Sequence, residues 1–465
     1  MRSLVGFPRI VALTAAAGIL TSSCASRRES APISETPTGA EEEPPNVDAG
    51  IVDETADSGP AVRLEPLTVE CKVTPCVTAL AARGGAHVCA LLSDKTVRCW
   101  GANESGQLGH APSAEKFSGV PLEVAGLNGA TEISVSGRNA QGTSCACLED
   151  GAIMCWGANT HGELGLMISP ATIDGDVHPA PSRVQGLPPA ARVDVGGTFA
   201  CAVSRSDGES LGGQMYCWGW NHVLQLGRGY TPQRHAGAAQ VKLGPRVVVS
   251  GAGTARNAFA ISDRGELLSW GGAAWDNDMT PYYVNGEYVY KYRDALGRES
   301  SFQADAEPTA IATLAGVVSV SAGDEHACAV SRGVAYCWGR NQTGGLGSGS
   351  LRDLAAPYPV AVQNIGEVAQ VSASNRTTCA RTVSGLVYCW GDNSSGQLGG
   401  GSSEANLLPV RANVEGVVQV AAMDDATCVL LQDGSVQCWG SNARGQLGLG
   451  ANDALAHYSP ELVRF

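Results

Sequence analysis

Residues 417–450 read VVQVAAMDDATCVLLQDGSVQCWGSNARGQLGLG and hold three short apolar or alternating runs separated by turn signals. A fourth run follows the variable segment, as in Pro409-Val410-Arg411 or Pro359-Val360-Ala361-Val362. Short runs bounded by Gly, Asp and Asn read as strands, and four strands per unit make a propeller blade. The unit recurs. Tryptophan followed by glycine stands at Trp100, Trp156, Trp218, Trp270, Trp338, Trp390 and Trp439, with spacings of 56, 62, 52, 68, 52 and 49 residues. At such a period each unit is one supersecondary module that buries its apolar face only by stacking on its neighbours. The expected architecture is all-β: a seven-bladed β-propeller of four-stranded blades. The first unit begins at Val77 with no outer strand before it, and the chain ends in Pro460-Glu461-Leu462-Val463-Arg464-Phe465. The C-terminal strand is therefore expected to complete the first blade, closing the circle and removing open edges.

Cysteine precedes the tryptophan in six of the seven units. Around the three-residue loop Gln432-Asp433-Gly434, with glycine at the left-handed position, counting outward sets Cys428 opposite Cys438. The same count pairs Cys145 with Cys155 and Cys379 with Cys389, and pairs Cys89 with Cys99 although Lys95 holds the third loop position. A two-residue Arg332-Gly333 loop sets Cys328 against Cys337, and Cys201 and Cys217 flank a longer tip. Directly opposed residues on antiparallel strands lie within disulfide reach. The fourth unit lacks both cysteines together, with Phe259 and Ser269 in their places. Zinc is disfavoured because no Cys-x-x-Cys pair occurs and histidines are few, so no metal or cofactor is expected. Of the remaining cysteines, Cys71 and Cys76 form the simplest pair, and Cys147 is left as a small buried residue.

Disulfides require an oxidising compartment. Residues 1–23 carry Arg2 and Arg9 ahead of an apolar stretch of eleven residues from Ile10 to Leu20, and read as an export signal too short to span a bilayer. Leu20-Thr21-Ser22-Ser23-Cys24 resembles a bacterial lipoprotein processing site, with Cys24 lipidated, and Ala25 resembles an outer-membrane sorting residue. Ordinary secretion is the alternative. Residues 24–70 form an acidic tether; Ala25 to Glu70 contains eleven acidic and three basic residues and no aromatic, a composition that resists folding. Its span as a flexible chain is roughly 35–40 Å. The propeller occupies 71–465. The chain as a whole carries net charge −14, and no basic run interleaved with aromatics stands out in the body, so nucleic acid is not an expected partner.

The segments Trp100 to Gly109, Trp156 to Gly165, Trp390 to Gly399 and Trp439 to Gly448 share Trp-Gly-x-Asn-x-x-Gly-(Gln or Glu)-Leu-Gly. This signature resembles the repeats of the regulator of chromosome condensation family. It degrades in the third unit, Trp218 to Gly227, and breaks after Trp270-Gly271 in the fourth. The resemblance covers about residues 77–465 and implies seven blades. Its residues read as structural: Trp between blades, glycine in tight turns, and asparagine bonding the loop backbone. In function the family is divided. Its founding eukaryotic member is a nuclear exchange factor for a small GTPase, which an exported chain with no basic tail fits poorly; a secreted relative with the same ring inhibits β-lactamases.

Departures from regularity mark the candidate site. The longest spacing arises from an insertion at about 272–307 containing Trp275, Tyr282, Tyr283, Tyr288, Tyr290 and Tyr292. Aromatic side chains dominate binding hot spots; the plain alternative is a hairpin, Tyr282–Val284 against Tyr288–Tyr290, packing on its own blade. Asp324-Glu325-His326 is the one dense cluster of acid and base groups, and it does not assemble a catalytic set. The expected function is an exported, membrane-anchored scaffold for a protein partner and not an enzyme. The rival is an inhibitor of an extracellular or periplasmic enzyme; a hydrolase or lyase stands behind both.

Overall fold

The computed structural model describes residues 67–138, 141–166, 173–206, 208, 212–272, 282–284, 287–289, 295–299, 305–351 and 355–465. The segments expected to be signal peptide and tether, with Cys24, lie outside them, apart from residues 67–70.

Seven four-stranded antiparallel sheets follow one another along the chain, each with its strands in sequence order from inside to outside. Blade 1 is Val77–Ala82, His87–Leu92, Val97–Ala102 and Phe117–Glu123; the strands of blades 2 to 6 span 130–183, 190–240, 248–310, 317–361 and 368–411; blade 7 is Val417–Ala422, Ala426–Leu431, Val436–Ser441 and Ala456–Leu462. The first strands of successive blades touch in a closed circle, the seventh against the first. Among the described residues there is no helix.

Closure differs from the expectation. The C-terminal strand Ala456–Leu462 pairs with the third strand of its own blade, Gln437 opposite Leu462, and blade 1 has its own outer strand in Phe117–Glu123. Pairing across the variable loop needs no strand exchange, because each loop returns the chain to the edge it has just left. The ring instead closes side by side. Leu80 and Gln419 exchange two hydrogen bonds, the Leu80 amide donating to Gln419 Oε1 at 2.8 Å and Gln419 Nε2 donating to the Leu80 carbonyl at 2.6 Å. Gln370 and Val420 repeat the exchange one blade earlier. The C-terminus still seals the seam, with Phe465 edge-on to Trp100 at 5.7 Å between ring centroids.

All seven repeat tryptophans are fully buried. Each donates its indole Nε1–H to a carbonyl in the loop of the preceding blade: Trp156 to Gln107, Trp218 to Glu163, Trp270 to Gln225, Trp338 to Ala295, Trp390 to Gly345, Trp439 to Gln397, and, across the seam, Trp100 to Gln446, all at 2.7–3.0 Å. A buried indole N–H without an acceptor costs about 1–3 kcal/mol, so the ring position and the hydrogen bond are set together. The asparagine side chain braces the loop that presents this carbonyl, Asn393 Oδ1 accepting from the Leu398 amide at 3.0 Å and Asn442 Oδ1 from the Leu447 amide at 3.3 Å. The final glycine of the signature must lack a side chain: a Cβ on Gly399 would stand 2.6 Å from Trp439 Nε1, and its φ is +69°.

Gly399→Ala is expected to lower unfolding stability by about 2–4 kcal/mol through left-handed strain and the clash with the indole. Urea denaturation followed by tryptophan fluorescence checks this; an unchanged midpoint would show that the indole has room to move.

Candidate functional site

In each blade the loop between first and second strands and the loop between third and outer strands share one face. Gln225 Nε2 reaches from the latter kind of loop in blade 3 to the Ala255 carbonyl in the former kind in blade 4, at 3.4 Å. This is the signature-loop face. The opposite face carries the hairpins between second and third strands, and there the Glu70 amide donates to the Gln432 carbonyl at 2.6 Å. The described chain thus enters on the hairpin face.

Those hairpins hold the cysteines. Cys89–Cys99, Cys145–Cys155, Cys201–Cys217, Cys328–Cys337, Cys379–Cys389 and Cys428–Cys438 stand directly opposite at disulfide distance, with Cα separations of 4.0–4.1 Å. Cys71 and Cys76 meet with Cα atoms 5.8 Å apart. In blade 4, Phe259 faces Ser269; the phenyl ring packs edge-on to Trp338, and Arg298 clamps Ser269 from Nε to Oγ at 3.0 Å and holds Asp305 at 2.7 Å. A core side chain and an ion pair thus occupy the place of the bridge. Cys147 is buried, its thiol donating to the Ala190 carbonyl at 3.3 Å, and burial pushes its pKa up, away from thiolate reactivity.

The break in the fourth signature is an interruption and not a loss. Beyond the insertion the chain returns at Ala295-Leu296-Gly297: Ala295 supplies the carbonyl for Trp338, Leu296 is buried, and a Cβ on Gly297 would meet Trp338 at 2.9 Å. The Leu-Gly pair was the sequence signal for this return. The inserted segment is therefore narrower than 272–307, lying between Gly272 and Ala295 on the signature-loop face. Within it, Tyr282–Val284 pairs with Glu287–Val289, so Tyr283 stands opposite Tyr288 and the second strand starts one residue earlier than expected. Trp275, Tyr290 and Tyr292 lie outside the described residues.

Asp324, Glu325 and His326 turn to three different partners. Asp324 faces Arg138 at 3.6 Å, Glu325 pairs with Arg340, and His326 is buried with Nε2 2.7 Å from Thr378 Oγ1. His87 repeats this role against Ser144 Oγ at 3.1 Å. Burial lowers both histidines to a pKa of about 4. Among the described residues no group of three or more His, Cys, Asp or Glu is placed to hold a metal ion.

Sequence reasoning missed the centre of the ring. The half-buried Arg83 follows the inner strand of blade 1 and reaches across, Nη1 to the Val195 carbonyl of blade 3 at 3.2 Å and Nη2 to the Ala322 carbonyl of blade 5. Burial lowers its pKa, opposed by Asp194 and Asp324. Side chains of the inner strands accept amides of the next blade: Glu132 Oε2 from Val193 at 3.1 Å, Ser134 Oγ from Val195 at 3.0 Å, Asp194 Oδ2 from Gly251 at 3.3 Å. Burial raises Glu132 to about 8, helped by Asp194, and raises Asp194 and Asp424 to about 6. The signal was present as polar alternation, Glu132-Ile133-Ser134 and Arg192-Val193-Asp194.

Models of the Regulator of chromosome condensation (RCC1) repeat match residues 77–107, 150–203, 332–381, 368–397, 384–430 and 417–446. These segments of the chain are similar to RCC1 repeats. The RCC1-like ring is 29% identical over 339 residues to the ultraviolet-B receptor UVR8 of Arabidopsis thaliana, 70% of this chain and 68% of the receptor. It is 27% identical over 335 residues to the human E3 ubiquitin-protein ligase HERC2, where the match spans 71% of this chain but 6% of the ligase. Among solved structures, Prp20p of Saccharomyces cerevisiae superposes with a TM-score of 0.62 at 20% identity, over 79% of this chain and 85% of that one. Human WBSCR16 superposes equally well, with a TM-score of 0.62 at 20% identity over 80% of this chain and 95% of that one. These structural likenesses establish the fold.

The raised carboxylates have a sign. Glu132 contributes stability that is present below its unfolded pKa near 4.5 and lost as pH rises through about 8. Glu132→Gln keeps an acceptor for Val193 and should flatten that loss, gaining on the order of 2 kcal/mol over the parent at pH 8 and nothing at pH 4. Thermal unfolding across pH 4–9 reads this directly; equal slopes for parent and variant would show that the carboxyl ionises freely.

Proposed function

We propose that this RCC1-repeat propeller is an exported scaffold that binds a protein partner through its signature-loop face. The observation that carries it is the blade 4 loop: the carbonyl, leucine and glycine that meet the next tryptophan are retained at Ala295, Leu296 and Gly297, yet a separate two-stranded hairpin is inserted between Gly272 and Ala295. An insertion that leaves the core contacts in place adds surface without disturbing the ring. Relatives of the same fold are described with protein partners: Prp20p with Gsp1p and histones, and yeast RCC1 with Kap60. Seven disulfides among the described residues fit an extracellular location. Attachment through a lipidated Cys24 would tie the molecule to a membrane through a tether that joins the described chain on its hairpin face. The separate partners of Asp324, Glu325 and His326 favour binding over catalysis.

Deletion of residues 273–294, with the four-residue turn Asn-Ala-Arg-Gly of positions 442–445 put in their place, retains the Ala295 acceptor and the outer strand Asp305–Ala310, so the ring should fold with an unchanged unfolding midpoint. Crosslinking on intact cells should then recover the partner with the parent chain and not with the deletion; equal recovery would reject the inserted hairpin as the contact. Mass spectrometry of the mature N-terminus should find acyl chains on Cys24, and an unmodified terminus elsewhere would make the protein diffusible.

A further inference from the structure

The signature-loop face carries a second unusual surface, on blades 2 and 3. In blade 2 the signature glutamine is replaced by Glu163. Gln225, Gln397 and Gln446 accept a loop amide with Oε1 and donate Nε2, the first two to the next blade at the Ala255 and Asp424 carbonyls and the third to Asp425 Oδ1 within its own blade. A carboxylate has no proton to donate in this way. Glu163 keeps the first bond, Oε2 accepting from the His161 amide at 2.7 Å, and turns Oε1 to His161 Nδ1 at 3.0 Å. The imidazole so held lies stacked on Trp220, centroids 4.6 Å apart, and His222 stacks on Trp220 in turn at 5.9 Å. Trp220 is not a repeat tryptophan; it is only half-buried, at the end of the third strand Met215–Trp220.

From the third strand of blade 3 into blade 4 the sequence lacks acids, although Arg246 and Glu266 lie on the opposite, hairpin face. Residues 210–262 contain no Asp or Glu but five Lys or Arg and two His, inside a chain of net charge −14. Lys242 and Arg246 are matched by Glu307 and Glu266, and Arg228 bonds the Cys217 and Gly237 carbonyls. Arg234 and His222 are exposed, and Tyr230 is 87% exposed, the most exposed large apolar side chain among the described residues. The imbalance comes from missing acids and not from a dense basic run.

We propose that this surface, His161, Trp220, His222, Tyr230 and Arg234, with Glu163 as the positioning residue for His161, docks an acidic segment of a partner protein. The proposal rests on the scaffold reading and names where and what that scaffold binds. An acidic ligand is repelled by most of an anionic chain, so a local patch of imidazole, guanidinium and phenol donors concentrates it at one place. The half-buried Trp220 and the exposed Tyr230, four residues before Arg234, supply apolar area at low rotamer cost.

The test uses the full chain and two fluorescein-labelled dodecapeptides, one alternating Asp and Gly, the other Lys and Gly, followed by fluorescence anisotropy at low and at physiological salt. The acidic peptide should bind at least tenfold more tightly than the basic one and weaken with salt. Tyr230→Ala combined with Arg234→Glu should cut its binding at least tenfold without moving the unfolding midpoint, since both side chains are exposed. Equal binding of the two peptides, or undiminished binding by the double variant, overturns the proposal. Cell crosslinking separates this from the broader reading: a partner recovered equally by parent and double variant rejects this surface and leaves the scaffold standing. If no partner is recovered by either, the scaffold reading falls, and the peptide titration still decides the site.

Discussion

A single hydrogen bond, repeated seven times, organises this ring. Each indole fills the space between two blades and is committed by its N–H to a carbonyl of the preceding loop. Everything else in the signature follows from presenting that carbonyl. The asparagine fixes the loop that carries it, the terminal glycine leaves room for the indole, and the glycine after tryptophan adopts φ between +94° and +107°, turning the strand at a bulge in its pairing with the outer strand. Blade 1 takes its acceptor, Gln446, from the far end of the chain, so the circle closes by the same contact that joins sequence neighbours.

This explains how the fold was legible from residues alone. The tryptophan-glycine pairs, the Leu-Gly ending and the loop lengths between cysteines each report a local geometric demand, and local demands are readable from spacing. Ring closure was not, because an outer strand at the C-terminus satisfies two schemes, strand exchange or side-by-side packing, and only the pairing of Gln437 with Leu462 distinguishes them. The return of the fourth signature at Ala295 was obscured by distance along the chain. Arg83 was invisible for a different reason: its partners, Val195 and Ala322, belong to blades far apart in sequence, and no spacing rule links them.

The candidate contact surfaces share a logic. In both, a signature position departs from the pattern while the ring contact it supports is kept: the chain is interrupted between Gly272 and Ala295, yet Ala295 still meets Trp338; Glu163 replaces glutamine, yet its carbonyl still meets Trp218. Sequence change is thus tolerated where it faces solvent and refused where it faces the seam. The hairpin face carries the disulfides and the entry of the chain, and both of these departures lie on the signature-loop face.

Hydrogen exchange of the tryptophan indoles by NMR tests the organising contact most directly. If the ring is closed side by side, the indole proton of Trp100 is protected to the same degree as those of Trp156, Trp218, Trp270, Trp338, Trp390 and Trp439. A Trp100 indole that exchanges with water like a free tryptophan while the others stay protected would contradict closure through Gln446 and open the circle between its first and last blades.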